Sequence, residues 1–359
     1  MKVAVYGSGC IGASVGILLA TQGHAVRFIY RDSSKYEQIA SLVLQTPSGD
    51  TVTLNHPNLT ADPGLGLSNC DVVFVATKRF SNPIVRANLA QFAPPGALVI
   101  LLQNGLGAKR DFDGLEPSLI VIESVVSFNV VAGKPGQFHW VTPQKDSCIV
   151  LDGGSNGAAR DSLALRVCEA VEKSGVKCLL DDQFAQVSTG KVVLNMINAP
   201  NALSGVTLDK FFVEFGYRLV WAQAILEALQ VFAAMGVPHQ RSAGGGALAD
   251  LQLSQMHRIL IYSPDWLVHV LAKKQNLQGA KASMLQDLEN RAESTEVEYL
   301  SGAIVRLGID LGIATPVNAK LVELVNRASA EKQGSPKLSP CELAAAVGLD
   351  LPSSSCVLS

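Results

Sequence analysis

Short, uninterrupted apolar runs punctuate the first half of the chain: Val3-Ala4-Val5-Tyr6, Ala25–Ile29, Asp71–Val75 and Ala97–Leu102. Runs this short, with no alternating polar face, read as strands buried on both faces of a sheet. Stretches of helical periodicity lie between them, so residues 1–181 predict a parallel sheet covered by helices. Leu42-Val43-Leu44 and Thr51–Leu54 flank Pro47-Ser48-Gly49-Asp50, which predicts a hairpin inserted between the second and third of those strands. Further strands are predicted at 119–126, 137–141, 148–151 and 176–180.

After Asp181-Asp182 the apolar residues recur at helical spacing with few β-rich runs, and this predicts an all-helical second domain over 182–332. Helices are predicted at 183–199, 210–235, 248–276, 286–312 and 317–332, with Gly244-Gly245-Gly246 as a joint. The Ser- and Pro-rich segment 333–359 predicts a peripheral tail in which 341–347 could form one short helix.

Composition narrows the class. With 48% hydrophobic and 17% charged residues the 359-residue chain is not a disordered one. Its 29 basic and 31 acidic side chains are scattered, so no nucleic-acid footprint appears. No apolar run approaches the ~20 residues of a spanning helix, and a cytoplasmic protein with no membrane partner is expected. The seven cysteines form no Cys-x-x-Cys pair, so neither a disulfide framework nor a metal site is indicated. Cys356-Val357-Leu358-Ser359 matches a prenylation box, but no upstream polybasic run supplies the second membrane signal.

Gly7-Ser8-Gly9-Cys10-Ile11-Gly12 follows a predicted strand and opens a predicted helix, which makes it a dinucleotide-binding turn of a Rossmann-type, doubly wound sheet. The first glycine permits the tight turn, the second lets backbone approach a pyrophosphate, and the third permits close packing of helix on strand. The second strand ends Ile29-Tyr30-Arg31-Asp32. A planar guanidinium suits the 2′-phosphate of NADP(H), whereas Asp32 reads as an N-cap for a helix starting near Ser34. Lys78 and Asn104 leave the carboxyl ends of two further strands, where ligands bind in such sheets. Their plainer readings are a solvated lysine and an Asn-Gly turn.

Lys191, Asn195 and Asn198 stand at i, i+4 and i+7 among Val, Leu, Met and Ile. One lysine and two amides therefore share a stripe of an otherwise apolar helix, which suggests a wet, buried site rather than a solvated face. Together with Ser283-Met284-Leu285-Gln286-Asp287 and Ser294-Thr295-Glu296-Val297-Glu298-Tyr299, the order and spacing of these motifs over residues 1–327 resemble the ketopantoate reductases (2-dehydropantoate 2-reductases). Thr315-Pro316-Val317-Asn318 is similar to the family's closing segment.

The resemblance implies a 6-phosphogluconate dehydrogenase-like fold and NADPH-dependent reduction of ketopantoate to pantoate. It implies Lys191 as general acid, Asn195, Asn198 and Ser283 as substrate ligands, Asn104 near the nicotinamide, and Glu296 in contact with cofactor or substrate. The partner is then a small keto acid, and a homodimer is the assembly to look for. The helix departs from the family's usual Lys-x-x-x-Asn-x-x-x-Asn-Pro: the second asparagine comes one residue early, and Asn201 offers another amide. A related 2-keto acid, a β-hydroxyacid dehydrogenase and a non-catalytic NADP-binding sensor remain as alternatives.

Arg31 generates the first prediction. Arg31→Ala should raise the KM for NADPH and leave that for NADH nearly unchanged in steady-state kinetics. Equal use of the two cofactors by the wild-type protein would contradict this reading of Arg31.

Overall fold

The computed structural model describes residues 1–154, 162–243, 253–264, 266–268, 270, 279–292 and 294–351. The described residues fall into two compact units, one within Met1–Ser188 plus Ala243, the other Thr189–Ser242 with the described residues from Leu253 onward. The division falls inside a helix, α5 (Phe184–Asn195), and not at Asp181-Asp182. Phe184 and Val187 explain this, because they pack on Val125, Cys148 and Val150 of the first unit.

The first unit is built on strands β1 (Lys2–Tyr6), β2 (Ala25–Ile29), β3 (Ser41–Gln45), β4 (Thr51–Asn55), β5 (Asn58–Thr60), β6 (Val72–Val75), β7 (Leu98–Leu101), β8 (Ile120–Val126), β9 (Val130–Ala132), β10 (Gln137–Trp140), β11 (Cys148–Asp152) and β12 (Lys177–Asp181). Eight of them form one sheet in the order β12-β11-β8-β7-β6-β1-β2-β5. The sheet is parallel except where β11 runs against β8. Helices α1 (Cys10–Ala20), α2 (Pro63–Leu67), α3 (Asn82–Phe92) and α4 (Ser162–Lys173) cover it.

Alternate residues of the central strands feed opposite cores. Val3, Val5, Val72, Phe74, Leu98 and Ile100 join residues of α1 and α4. Ala4, Val73, Val75, Val99 and Leu101 join Leu67, Val85 and Leu89 from α2 and α3. Burial on both faces is why these strands read as continuous apolar runs. The predicted hairpin is β3–β4, closed by Thr46 and Asp50, and it belongs to a second sheet of order β4-β3-β10-β9. Parallel pairing of β10 with β3 brings distant segments together and leaves no local signal in the sequence.

Helices make up the described part of the second unit, and its core is α8 (Phe215–Ala234), which is buried nearly all round. The helix predicted at 183–199 breaks, since α5 ends at Asn195 and α6 (Asn198–Ser204) starts anew. Pro200 has no N–H to donate to the carbonyl four residues back, and this interrupts the ladder. The helix predicted at 286–312 is three pieces: Ser283–Glu289, a 3-10 turn Val297–Tyr299, and Ser301–Leu311. The first closes at Arg291, which takes φ 53° while its N–H reaches Leu288 O and that of Ala292 reaches Asp287 O.

Of the prediction at 248–276, Met256–Tyr262 is helical and stops just before Pro264. Gly244-Gly245-Gly246 and most of 265–276 lie outside the described residues. The tail is packed rather than peripheral at Pro340–Ala346, where a Ser339–Glu342 capping box starts a helix that buries Leu343 and Ala344. Tyr217 of α8 donates its hydroxyl to Leu338 O at 2.8 Å. Cys356-Val357-Leu358-Ser359 lies outside the described residues. Among those described, no helix is long and apolar enough to cross a membrane.

Glu227 of α8 closes the second core. Its carboxylate accepts the N–H groups of Val317 and Asn318, both at 2.9 Å, and the Asn318 amide at 2.8 Å, so it caps the helix Pro316–Glu331 from outside. Burial pushes this carboxyl above its ordinary range and the three donors hold it down. Glu227→Ala would leave those donors buried and unpaired, and should cost about 3 kcal/mol of stability in denaturant unfolding. An unchanged midpoint would remove Glu227 from this role.

Candidate functional site

In the first unit every predicted cofactor residue lies along one edge of the large sheet. Tyr6 pairs with Ile29 and with Val75, and Val75 pairs with Leu101, so the carboxyl ends of β1, β2, β6 and β7 are level. The segments that follow carry Gly7–Gly12, Arg31, Lys78 and Asn104 in turn. The order β6-β1-β2 also puts β1 where the winding reverses, which is the position at which open α/β sheets bind ligands.

The three glycines do separate jobs. Gly7 has φ 98°, and a Cβ there would stand 2.7 Å from the Thr77 nitrogen. Gly12 lies so near the Gly7 carbonyl and the Ala76 methyl that a Cβ would drive α1 off the sheet. Gly9 faces open space. It occupies the N-cap of α1, where no side chain caps the helix and no acid stands in the first turn. Free backbone N–H groups and the positive helix end are therefore available to an anion. Ser8 is buried and donates to Ile29 O at 3.3 Å, which ties the turn to β2.

Cys10 and Ile11 are half-buried against the core at the start of α1. Burial pushes the Cys10 thiol up, and backbone amides and, more weakly, the Lys78 ammonium pull it back. Arg31 is exposed at the end of β2. Asp32 sits at the N-cap of the 3-10 turn Ser33–Lys35, but its carboxylate accepts the Ser34 hydroxyl rather than a backbone N–H.

Asn104 is half-buried in a loop that the sequence does not show to be braced. Beside it, Gln103 donates to Thr77 O at 2.8 Å and to Asn82 at 2.6 Å, and Asn82 donates to Asp111 at 2.7 Å. Arg79, buried, pairs with Asp111 at 2.9 Å and donates to Leu106 O at 2.7 Å. This network joins the segments that carry Lys78 and Asn104. The contacts span more than twenty positions, so no motif announces Arg79, Asn82 or Asp111.

In the second unit Lys191 and Asn195 lie one turn apart on α5, both half-buried. Burial alone pushes the Lys191 ammonium below its ordinary value of 10.5. Gly190 lets the carbonyl of Arg241 approach the helix immediately before this lysine. Asn198 is not on the same helix, because it opens α6 beyond the break, and it is buried. Asn201 is fully committed: it donates to Val206 O at 2.9 Å and accepts the N–H of Ala282 at 3.1 Å. It thus braces the start of the Ser283–Glu289 helix, whose first residue, Ser283, is exposed.

Glu296 is 6% exposed and precedes the 3-10 turn Val297–Tyr299, so the amphipathic α-helix predicted from 295 is absent. Glu298 points to the surface, where Asn326 donates to it at 2.7 Å and Arg306 pairs with it at 3.3 Å. The two glutamates therefore differ in environment, Glu296 buried just before the 3-10 turn and Glu298 within it at the surface.

Family models decide the affiliation. Residues 3–149 match "Ketopantoate reductase PanE/ApbA", and residues 183–329 match its C-terminal counterpart. The chain belongs to the ketopantoate reductase family. A 2-dehydropantoate 2-reductase of Halobacterium salinarum is 26% identical over 330 residues, which cover 91% of this chain and 99% of that one. Among solved structures, D-mandelate dehydrogenase with NADH and anilino(oxo)acetate is similar with a TM-score of 0.76 at 19% identity, covering 93% of this chain and 100% of that one. A dimeric ketopantoate reductase from Staphylococcus aureus has a TM-score of 0.68 at 18% identity and covers 92% and 100%. At such identities the structures speak for the fold alone. In ketopantoate reductase terms, the closing motif Thr315–Asn318 is the segment that Glu227 caps.

Proposed function

We propose that this ketopantoate reductase family member reduces ketopantoate (2-dehydropantoate) to pantoate with NADPH, on the route to pantothenate and coenzyme A. The observation that carries the reading is Lys191, a lysine whose ammonium is made a better proton donor by burial, on a helix of a chain that also holds an open dinucleotide turn.

The cofactor supplies a hydride to the keto carbon. Lys191 holds the proton that the developing alkoxide takes up, and its charge stabilises that oxygen before transfer. Asn195 and Asn198 orient substrate hydroxyl and carboxylate groups, Ser283 offers a hydroxyl to the carboxylate, and Glu296 accepts from a hydroxyl of substrate or cofactor. In the first unit the α1 N-terminus would take the pyrophosphate, Arg31 and Lys78 would meet further phosphate charge, and Asn104 would lie by the nicotinamide. We place the protein in the cytoplasm as a homodimer; the dimeric Staphylococcus aureus relative supports the second point.

One observation favours a related 2-keto acid as a second reading. The break before Asn198 moves that amide off the α5 stripe, so the substrate pocket differs from the usual Lys-x-x-x-Asn-x-x-x-Asn pattern.

The test is NADPH oxidation with ketopantoate, ketoisovalerate, oxaloacetate and pyruvate. Ketopantoate should give the highest kcat/KM, and a higher value for another acid would replace it as substrate. Glu296→Ala should lower kcat/KM at least ~10-fold, about 1.4 kcal/mol of transition-state stabilisation, with Glu298→Ala close to wild type. Equal, small effects at both positions would move a β-hydroxyacid dehydrogenase ahead.

A further inference from the structure

The peptide units from Leu106 to Lys109 are gripped from two sides, by the buried guanidinium of Arg79 and the half-buried carboxylate of Glu123. Arg79 donates to Leu106 O at 2.7 Å and to Gly107 O at 3.2 Å. On the other side, Glu123 accepts the N–H of Lys109 at 3.2 Å, and the neighbouring Ala108 amide also favours the charged form of this carboxylate. These two amides open the 3-10 turn Ala108–Phe112, whose N-cap, Gly107, has no side chain to offer. Glu123 supplies the missing cap from β8. It can do so because Leu101↔Glu123 is the register of β7 and β8, so the carboxylate stands level with the end of β7 from which the Asn104 loop departs.

The loop needs such a grip. Gly105 and Gly107 have φ 97° and 65°, so the loop combines two positions of high backbone freedom. Without the cation on its carbonyls and the anion on its amides, nothing local would select the observed path. A cavity of about 20 Å³ lined by Gln103, Glu123, Ser124 and Ser188 lies beside the carboxylate, room for one water molecule.

We propose that Glu123 is a positioning residue for the cofactor: by capping the Ala108–Phe112 turn it sets the Gln103-Asn104-Gly105 loop against the nicotinamide. This rests on the reading of Asn104 as a cofactor contact. Glu123 does not touch the reacting atoms in this scheme; it acts through the turn.

The cap is sensitive to protonation. Burial pushes the Glu123 carboxyl above its ordinary range, Asp152 of β11 pushes the same way, and Arg79 and the two amides oppose. The other charges on the turn are Asp111, paired with Arg79, Lys109, paired with Glu116 at 3.1 Å, and the exposed Arg110. A raised carboxyl pKa in the folded state means that folding favours the protonated form. The associated stability is therefore complete below the unfolded pKa and is lost as pH rises through the folded one. Ionised Glu123 thus works against stability at neutral pH while it strengthens the cap, because a charged acceptor bonds more strongly than a neutral one.

That opposition separates a positioning role from a structural one. NADPH binding by fluorescence titration and the Tm of the NADPH-free protein would be measured for the full chain and Glu123→Gln between about pH 5 and pH 8. At the alkaline end the variant should bind NADPH about 3- to 10-fold more weakly, with an equal or higher Tm. As pH falls, wild-type affinity should converge on that of the variant; titration of the cofactor's own 2′-phosphate is common to both and leaves the ratio unchanged. A ratio that stays constant with pH, an unaltered affinity, or a Tm that falls together with affinity would overturn the proposal. Neither readout involves the keto acid. NADPH binding that follows this pattern in a protein that does not reduce ketopantoate would refute the proposed substrate and leave Glu123 in place.

Discussion

An ammonium or carboxylate withdrawn from water costs several kcal/mol unless hydrogen bonds replace its hydration, and this chain withdraws both kinds at chosen points. Glu227 is compensated by three donors from the segment Val317-Asn318, and the result is a locked helix start. Arg218, also in α8, is buried and donates to the carbonyls of Phe212, Val213 and Leu260. Both groups serve the core. Lys191 is of another kind: half-buried on α5, it has its ammonium pushed below the ordinary value by desolvation. A charge held at such cost is suited to leaving as a proton.

The first unit meets the same constraint with backbone. The start of α1 keeps its N–H groups uncapped by any side chain, and the Gly9 position is open, so a pyrophosphate can take the place of the missing cap. Gly12 and Gly7 make this geometry attainable by letting the helix, the turn and the Ala76-Thr77 backbone approach within contact distance. The loops that complete the edge are fixed by buried polar pairs: Gln103 with Asn82, Asp111 with Arg79, and Glu123 with the Lys109 amide. Orientation at a reacting centre depends on such supports, because small misplacements of catalytic groups are costly.

Much of the fold was legible because it is written in local periodicity. Central strands such as Val72–Val75 are apolar on both faces since both faces are covered, and the β3–β4 hairpin announces itself through Pro47-Ser48-Gly49-Asp50. The glycine turn was legible because Gly7 and Gly12 answer steric demands that no other residue meets, while Gly9 leaves the helix start open. Other features were hidden for physical reasons. The end of the helix at Arg291 uses a left-handed arginine in place of glycine, so its stop signal is silent. The break at 196–197 comes from a proline in the next turn, and it separates Asn198 from the stripe that spacing alone would assign to it. The roles of Asn201, Arg79 and Glu123 come from partners far away in sequence, and only the folded chain shows them.

In the proposed mechanism Lys191 delivers a proton to the developing alkoxide from an ammonium whose pKa burial lowers. The pH dependence of kcat/KM for ketopantoate reduction, measured for the wild-type protein and Lys191→Arg, tests it most directly. An alkaline loss of activity should set in below the ordinary lysine value of 10.5 and should disappear from the much-reduced activity of the arginine variant, whose guanidinium does not titrate in this range. A wild-type profile without that loss, or the same loss in both proteins, would contradict it.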